Sequence, residues 1–299
     1  MSEIVDILMG PDPYYLLMSN VTKQPFLYEG ERALAYTDAG AMNQMESYLQ
    51  LSGYDVFSYM VNDNKYQVAE DMMAAGVSMI SLNECDDGKD LMADQIGAFV
   101  EVPQDGFVAL EVPLINMELS RLLNYFYQEL SVRRSDKHVT DQLFEKLRTS
   151  SYLVPINIAR CRVADQIIFP FFEDSSDIPV FTDYRICADW LAQCGESTDE
   201  WATWVVDWAD FKNLMDQNPG TTFYLNNNTV NLHITPDLLN GLNSLITQFS
   251  DDLDQNVDEI PKPFDPARMT DFPAGKETAL VDDWENDDPS KDFFQSDPA

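Results

Sequence analysis

The 299 residues carry 52 Asp and Glu against 18 Lys and Arg, a formal net charge of -34, with 45% hydrophobic residues and 12% aromatics. That apolar content can bury the core of one large domain or of two modest ones, while the charge repels nucleic acid and anionic membrane and attracts cations or basic partners. No apolar run approaches the roughly 20 residues of a membrane span, and the opening "MSEIVDILMGPDPYY" has neither a basic start nor a long apolar core, so a cytoplasmic protein is expected.

In chain order, "EIVDILMG" reads as a short helix ending at Gly10, and "YYLLMS" as a strand set off by Pro11 and Pro13. After "QPFLYEG", the strand "ALAYTD" stops where the helix "AGAMNQMESYLQL" begins, with Thr37 or Asp38 placed to accept hydrogen bonds from its first turn. Met42, Met45, Tyr48 and Leu49 form a stripe expected to be buried. The strand "YDVFSYMV" and the helix "NKYQVAEDMMAAG" follow, the helix stopping at Gly76. Next come the strand "VSMISLN", an insertion containing "GAFVEVPQDG", the strand "FVALEV" and a helix led by Pro113, "PLINMELSRLLNYFYQEL".

The same order then recurs about 145 residues later, which marks an internal repeat. "VTDQLFEKLRTS" places Val139, Leu143, Phe144 and Leu147 on one helical face, and the strand "SYLVPINI" follows. "IIFPFFED" leads to "IPVFTD", where Thr182 or Asp183 caps "YRICADWLAQCG" with its stripe of Ile186, Trp190 and Leu191. "EWATWVVD", "WADFKNLMDQNPG" ending at Gly220, and the hairpin strands "TTFYLNN" and "VNLHIT" complete the pattern, with a tight turn expected at Asn226, Asn227 and Asn228. The last helix opens at Pro236 and carries Leu238, Leu239, Leu242, Leu245, Ile246 and Phe249 as a continuous face. The expected fold class is α+β, a tandem duplication of two mixed-sheet units over 1–130 and 131–250, with helices mainly on one face of each sheet.

The run "SYLVPINI…FPFFEDSSDIPVFTDYRICADWLAQ…WVVDWADFKNLM…PGTTFYLNNNTVNLHITPDLL" resembles the SseB domain, a bacterial family of the enhanced serine sensitivity type. The resemblance covers most of Thr140 to Phe249 and, by order and spacing, Ile4 to Leu130, where "ALAYTD" and the long insertion depart from the family pattern. It implies two tandem SseB-like units. It brings no catalytic residue and no substrate with it.

No nucleophile elbow, phosphate-binding glycine loop, dinucleotide fingerprint or H-E-x-x-H zinc helix is present. His138 and His233 are the only histidines, and alternation in "VNLHIT" puts His233 on the polar face of its strand. "NECDDG" has Cys85 where calcium needs an oxygen ligand, and "DDLDQNVDE" lacks the turn glycine, so no metal and no cofactor are expected. Cys85, Cys161, Cys187 and Cys194 form no C-x-x-C pair and read as core thiols. In "EWATWVVDW", Trp201 and Trp204 fall on opposite faces of a strand, which suits core packing for one and either an interface or a partner platform for the other.

From Asp251 the chain changes character: 15 acidic residues face 4 basic ones and no apolar period survives. An extended or disordered tail over 251–299 is the expectation, with Trp284, Phe293 and Phe294 as isolated apolar points that either bind a partner or dock back. The leading functional reading is a non-enzymatic interaction or regulatory protein that meets a basic protein partner through its acidic surface and tail, with Trp284, Phe293, Phe294, Trp201 and Trp204 as candidate contacts. The alternative is a small-metabolite binder or enzyme using a cleft between the units, lined by Trp201, Trp204 or Asn226 to Asn228. A third reading, motivated by charge alone, is an inhibitor that mimics nucleic acid.

Overall fold

The computed structural model describes residues 7–83, 91–92, 116–134, 137–164, 169–172, 177–196 and 200–240. It is an α+β chain with mixed sheets. The expected opening helix lies outside these residues except at Ile7 and Leu8, which are helical, and so do "FVALEV", Cys85 and the whole of 241–299.

The first sheet holds β1 (Tyr14–Ser19), β2 (Leu27–Tyr28), β3 (Arg32–Tyr36), β4 (Val56–Val61), β5 (Met79–Leu82) and β6 (Leu91–Met92). Its order is β4-β1-β3-β5-β6, with β2 on β3; β3 and β5 run parallel and the other pairs antiparallel. "YYLLMS" and "RALAY" are almost continuously apolar, as strands covered on both faces are. Tyr14, Leu16, Ala33 and Ala35 pack with Val68, Ala69 and Met72 of α2 (Lys65–Ala74), while Leu17, Leu34 and Tyr36 pack with Met42 and Leu49 of α1 (Ala39–Leu51). Helices therefore cover both faces, which corrects the expectation of a one-sided sheet.

The second half contains α4 (Lys137–Thr149), β7 (Ser151–Asn157), α5 (Ile158–Ala164), β8 (Asp177–Val180), α6 (Tyr184–Gln193), β9 (Trp201–Asp207), α7 (Trp208–Gln217), β10 (Thr222–Leu225), β11 (Leu232–Ile234) and α8 (Pro236–Asn240). β7 and β9 pair antiparallel, β8 and β10 parallel, and β10 and β11 antiparallel. Among the described residues one reciprocal pair joins the pieces: Leu153 N–H donates to Phe181 O at 2.8 Å and Phe181 N–H to Leu153 O at 2.8 Å. The order is then β9-β7-β8-β10-β11, with the same senses as in the first sheet. The hairpin is wider than expected: Leu225 pairs with Leu232, leaving 226–231 as the connection, with Asn226 and Asn231 both at positive φ.

Between the halves lies α3 (Met117–Ser131). It starts four residues after the expected Pro113, because Asn116 caps it: the side-chain oxygen accepts from Leu119 N–H at 3.3 Å. One stripe, Leu119, Leu122, Leu123, Phe126 and Leu130, joins the large core formed with Leu143, Tyr152, Val154, Phe211 and Phe223. Another, at the helical spacing 121, 124 and 128, is polar and faces the first sheet. Asn124 Oδ1 accepts from Thr22 Oγ1 at 2.7 Å and from Gln128 Nε2 at 2.6 Å, and Gln128 Oε1 accepts from Leu27 N–H at 3.0 Å. Arg121 donates to Gly30 O at 3.0 Å.

The end of α2 closes against this helix at Gly76, where φ is +78° and an added Cβ would stand 2.2 Å from Met117 O and 2.4 Å from Arg121 N. Gly220 has a similar φ of +98° but open space around it. Gly220→Ala should therefore cost only the left-handed backbone term, about 1–2 kcal/mol. Gly76→Ala should cost more than about 4 kcal/mol, since backbone must move as well. Denaturant unfolding of the two variants checks this, and equal losses would contradict the close approach.

Candidate functional surfaces

The repeated Thr-Asp has two separate jobs. Asp38 Oδ1 accepts from Ala41 N–H at 2.8 Å and Asp183 Oδ1 from Arg185 N–H at 2.6 Å, so the aspartates cap α1 and α6. The threonines are clamped from the ends of the neighbouring parallel strands. Thr37 N–H donates to Asn83 Oδ1 at 2.9 Å while Asn83 Nδ2 donates back to Thr37 Oγ1 at 3.0 Å. Thr182 N–H donates to Asn226 Oδ1 at 3.0 Å while Asn226 Nδ2 donates back to Thr182 Oγ1 at 2.9 Å. Both asparagines sit at positive φ, 56° and 50°, which their short side chains tolerate. The first clamp is exposed, whereas the second is covered by the start of α3, with Ser120 Oγ 2.9 Å from Thr182 Oγ1 and Asn116 N–H donating to Thr182 O at 3.2 Å.

Among the residues singled out from sequence, Trp201 is 0% exposed and packs with Phe181, Trp190 and Leu191, its indole N–H donating to Glu196 Oε2 at 3.2 Å. A platform role for Trp201 gives way to packing, because its whole surface is enclosed. Trp204 is half-buried on the opposite face, against the large core, with Ala202 and Val206 beside it. Trp284, Phe293 and Phe294 lie outside the described residues. Asn226 is taken up by the clamp and Asn228 Nδ2 donates to Ile186 O at 3.1 Å. The side-chain oxygens of Asn227, Asn228 and Asn231, all in this one connection, are buried with no hydrogen-bond partner among the described residues. His233 does not stand alone on its strand: it stacks on Tyr224 with ring centroids 4.3 Å apart, and Nε2 lies 2.6 Å from Thr222 Oγ1.

The first sheet's surface carries a chemistry that spacing alone did not reveal. Tyr48, Leu51, Tyr59, Met60 and Tyr66 are exposed; among the described residues Val205 is the one other exposed large hydrophobic. Tyr59, Met60 and Tyr66 flank the turn from β4 into α2, where Asn64 Nδ2 donates to Tyr59 Oη at 2.8 Å. Between Ala33 and Asn83 the sequence has Asp38, Glu46, Asp55, Asp63, Glu70 and Asp71 and a single basic residue, Lys65. Lys65 is 6% exposed; its ammonium donates to Gly10 O and Asp12 O and lies 5.6 Å from the Tyr14 ring centroid. The stretch thus offers exposed aromatic and aliphatic side chains among carboxylates, with its cation turned inward.

No family model, curated protein or solved structure matches the chain. Among the described residues no group of three or more His, Cys, Asp or Glu side chains is placed to hold a metal ion, and no helix is long and apolar enough to cross a membrane.

Where α2 meets α6, one guanidinium faces several carboxylates. Arg185 lies 3.3 Å from Glu70, 3.5 Å from Asp71 and 3.8 Å from Asp189. Burial pushes Asp71 up to about 6 and Asp183 up to about 7, and raises Glu70 and Asp189, against the downward pull of Arg185 on each. Both aspartates ordinarily titrate at 3.8. The folded chain therefore keeps protons that the unfolded chain has released, and the stability they bring is complete below about pH 4 and is lost as pH rises through about 6 and 7. Melting temperature should fall between about pH 4 and 7, and Asp71→Asn should flatten the part of that slope between about pH 4 and 6. Thermal melts of both proteins across a pH series measure it; identical slopes would show that Asp71 is not held protonated.

Proposed function

We propose that the chain is a non-enzymatic interaction or regulatory protein of the SseB type, two tandem units over 1–130 and 131–250 followed by an acidic tail, and that it meets a basic protein partner. The common strand order and the paired Thr–Asn clamps with their adjacent Asp caps support the duplication. One observation carries the functional reading: exposed Tyr48, Leu51, Tyr59, Met60 and Tyr66 lie in a stretch whose only basic side chain is buried. Aromatic and aliphatic anchors ringed by charge of one sign are how a surface combines a desolvated contact with attraction to the opposite sign. Partners retained on the immobilised chain at about 50 mM salt should be basic and should be released by about 500 mM, where screening shortens to a few ångströms. Replacing Tyr48, Leu51 and Met60 together by serine should lower that retention while leaving the melting temperature within a degree or two, since these side chains are exposed. Salt-insensitive retention, or retention unchanged in the triple variant, would defeat the proposal.

A second reading has its own observation. The unpartnered oxygens of Asn227, Asn228 and Asn231 suit a small ligand carrying ammonium or amide donors. Thermal-shift screening against amino acids and nucleotides tests it: a ligand at about 100 times its Kd adds about 2.7 kcal/mol, and a flat screen removes the reading.

A further inference from the structure

The two Thr–Asn clamps are alike in bonding and opposite in exposure. Thr182 is 0% and Asn226 2% exposed, with the start of α3 lying over Thr182. Two contacts define that fit. The N–H of the capping residue Asn116 donates to Thr182 O at 3.2 Å, and the hydroxyl of Ser120, four residues on, meets Thr182 Oγ1 at 2.9 Å. Thr37 and Asn83 are exposed, as are Asp38, Ala39 and Gly40 beside them, and among the described residues no hydrogen bond reaches Thr37 O. The first half thus presents to solvent the same acceptor and the same hydroxyl that the second half uses to seat a helix start.

The exposed clamp has apolar neighbours. β3 and β4 both run antiparallel to β1, so they end on the same side of the sheet. Tyr15 pairs with Tyr36 on one side and with Met60 on the other, which puts Met60 in one cross-strand row with Tyr36, two strands or about 10 Å away. Met60 is 54% exposed, and Tyr66, just beyond the turn into α2, is 60% exposed. A helix rises about 1.5 Å per residue, so one that starts on Thr37 reaches Met60 in about two turns. Asp38 and Asp63 are exposed at this end of the sheet, while Lys65 is turned inward.

We propose that the exposed Thr37–Asn83 clamp is the docking point for the first turn of a helix in a basic partner protein, seated as the start of α3 is seated on Thr182. The partner helix opens with a capping residue whose N–H donates to Thr37 O and carries Ser or Thr four residues later against Thr37 Oγ1. Its apolar side chains meet Met60 and Tyr66, and its Lys or Arg side chains meet Asp38 and Asp63. The α3 helix of a second copy is not available for this, since its start is held on its own Thr182. The inference rests on the reading of the first half as a partner surface and names the element of the partner that makes the contact.

The test uses the full chain and a short stapled helical peptide, acetylated, opening with Asn, with Ser four residues later, Leu on one face and Lys on the other. Fluorescein at its carboxyl end reports binding by polarisation. A twin peptide with Ala in place of that Ser should bind the unaltered chain about three- to tenfold more weakly, the loss expected for one hydrogen bond. Thr37→Val removes the hydroxyl and keeps the branched shape, and should leave the melting temperature within a degree or two, since the side chain is exposed. That variant should bind the two peptides alike, which isolates the contact between the peptide hydroxyl and Thr37. Should it misfold, a benzophenone at the amino end of the peptide gives the same answer on the unaltered chain, with crosslinks at 37–40 or 83. No binding, equal binding of both peptides to the unaltered chain, a Ser preference that survives Thr37→Val, or crosslinks elsewhere would each overturn the proposal. Binding that weakens with salt and in the triple variant of Tyr48, Leu51 and Met60, yet is blind to the Ser and to Thr37, would remove this inference and leave the surface reading standing.

Discussion

Everything else in this chain is arranged around the two-sided helix α3. Its Leu and Phe stripe completes the core beneath β7 to β11, and its amide stripe supplies backbone and side-chain partners to the turns before β2 and β3. Asn124 is 0% and Gln128 1% exposed, so each amide must be satisfied inside the protein. The ladder Thr22, Asn124, Gln128, Leu27 does this with every link between 2.6 and 3.0 Å. A buried network of this kind specifies one arrangement of its neighbours, because any slip leaves several desolvated groups unpaired at once. Tyr54, donating to Glu129 Oε1 at 2.6 Å, fixes the far end of the same helix to the end of α1.

Much of the local structure was legible because it depends on neighbours in sequence. Asp38 and Asp183 act within a few residues of themselves, and the apolar periods of α1, α6 and α7 are short-range signals. What was hidden depends on partners far along the chain. Asn83 reads as the end of the strand "VSMISLN" and Asn226 as a turn residue; their clamps on Thr37 and Thr182 cross 46 and 44 positions. The amide stripe of α3 was visible as a polar side of a helix, but nothing in its spacing says that such a side is buried. The expectation of one-sided sheets failed for a related reason. A continuous apolar run such as "YYLLMS" marks a strand, but its cover on the second face comes from a helix elsewhere in the chain.

The functional surfaces divide in the same way. The net charge was evident at once, yet charge totals do not tell which cations point outward. The enclosure of Lys65 leaves the stretch that exposes Tyr48 to Tyr66 with no outward cation of its own, while Arg134, from the end of α3, reaches its Tyr54. Trp201 shows the reverse error. A tryptophan cluster invites a binding role, but at strand spacing one of two such rings must point to each face, and both faces of this strand are covered.

The reciprocal pair between Leu153 and Phe181 has a structural meaning. β7 and β9 are zipped along their whole length, from Ser151 opposite Asp207 to Asn157 opposite Trp201, and β8, β10 and β11 form their own ladder. Across the seam between them the two pieces share the large core, in which Tyr152 of β7 packs on Phe211 and Phe211 on Phe223 of β10, ring centroids 4.9 and 4.5 Å apart. Where main-chain pairing is this sparse, it is side-chain packing that makes one sheet of two separately laddered plates.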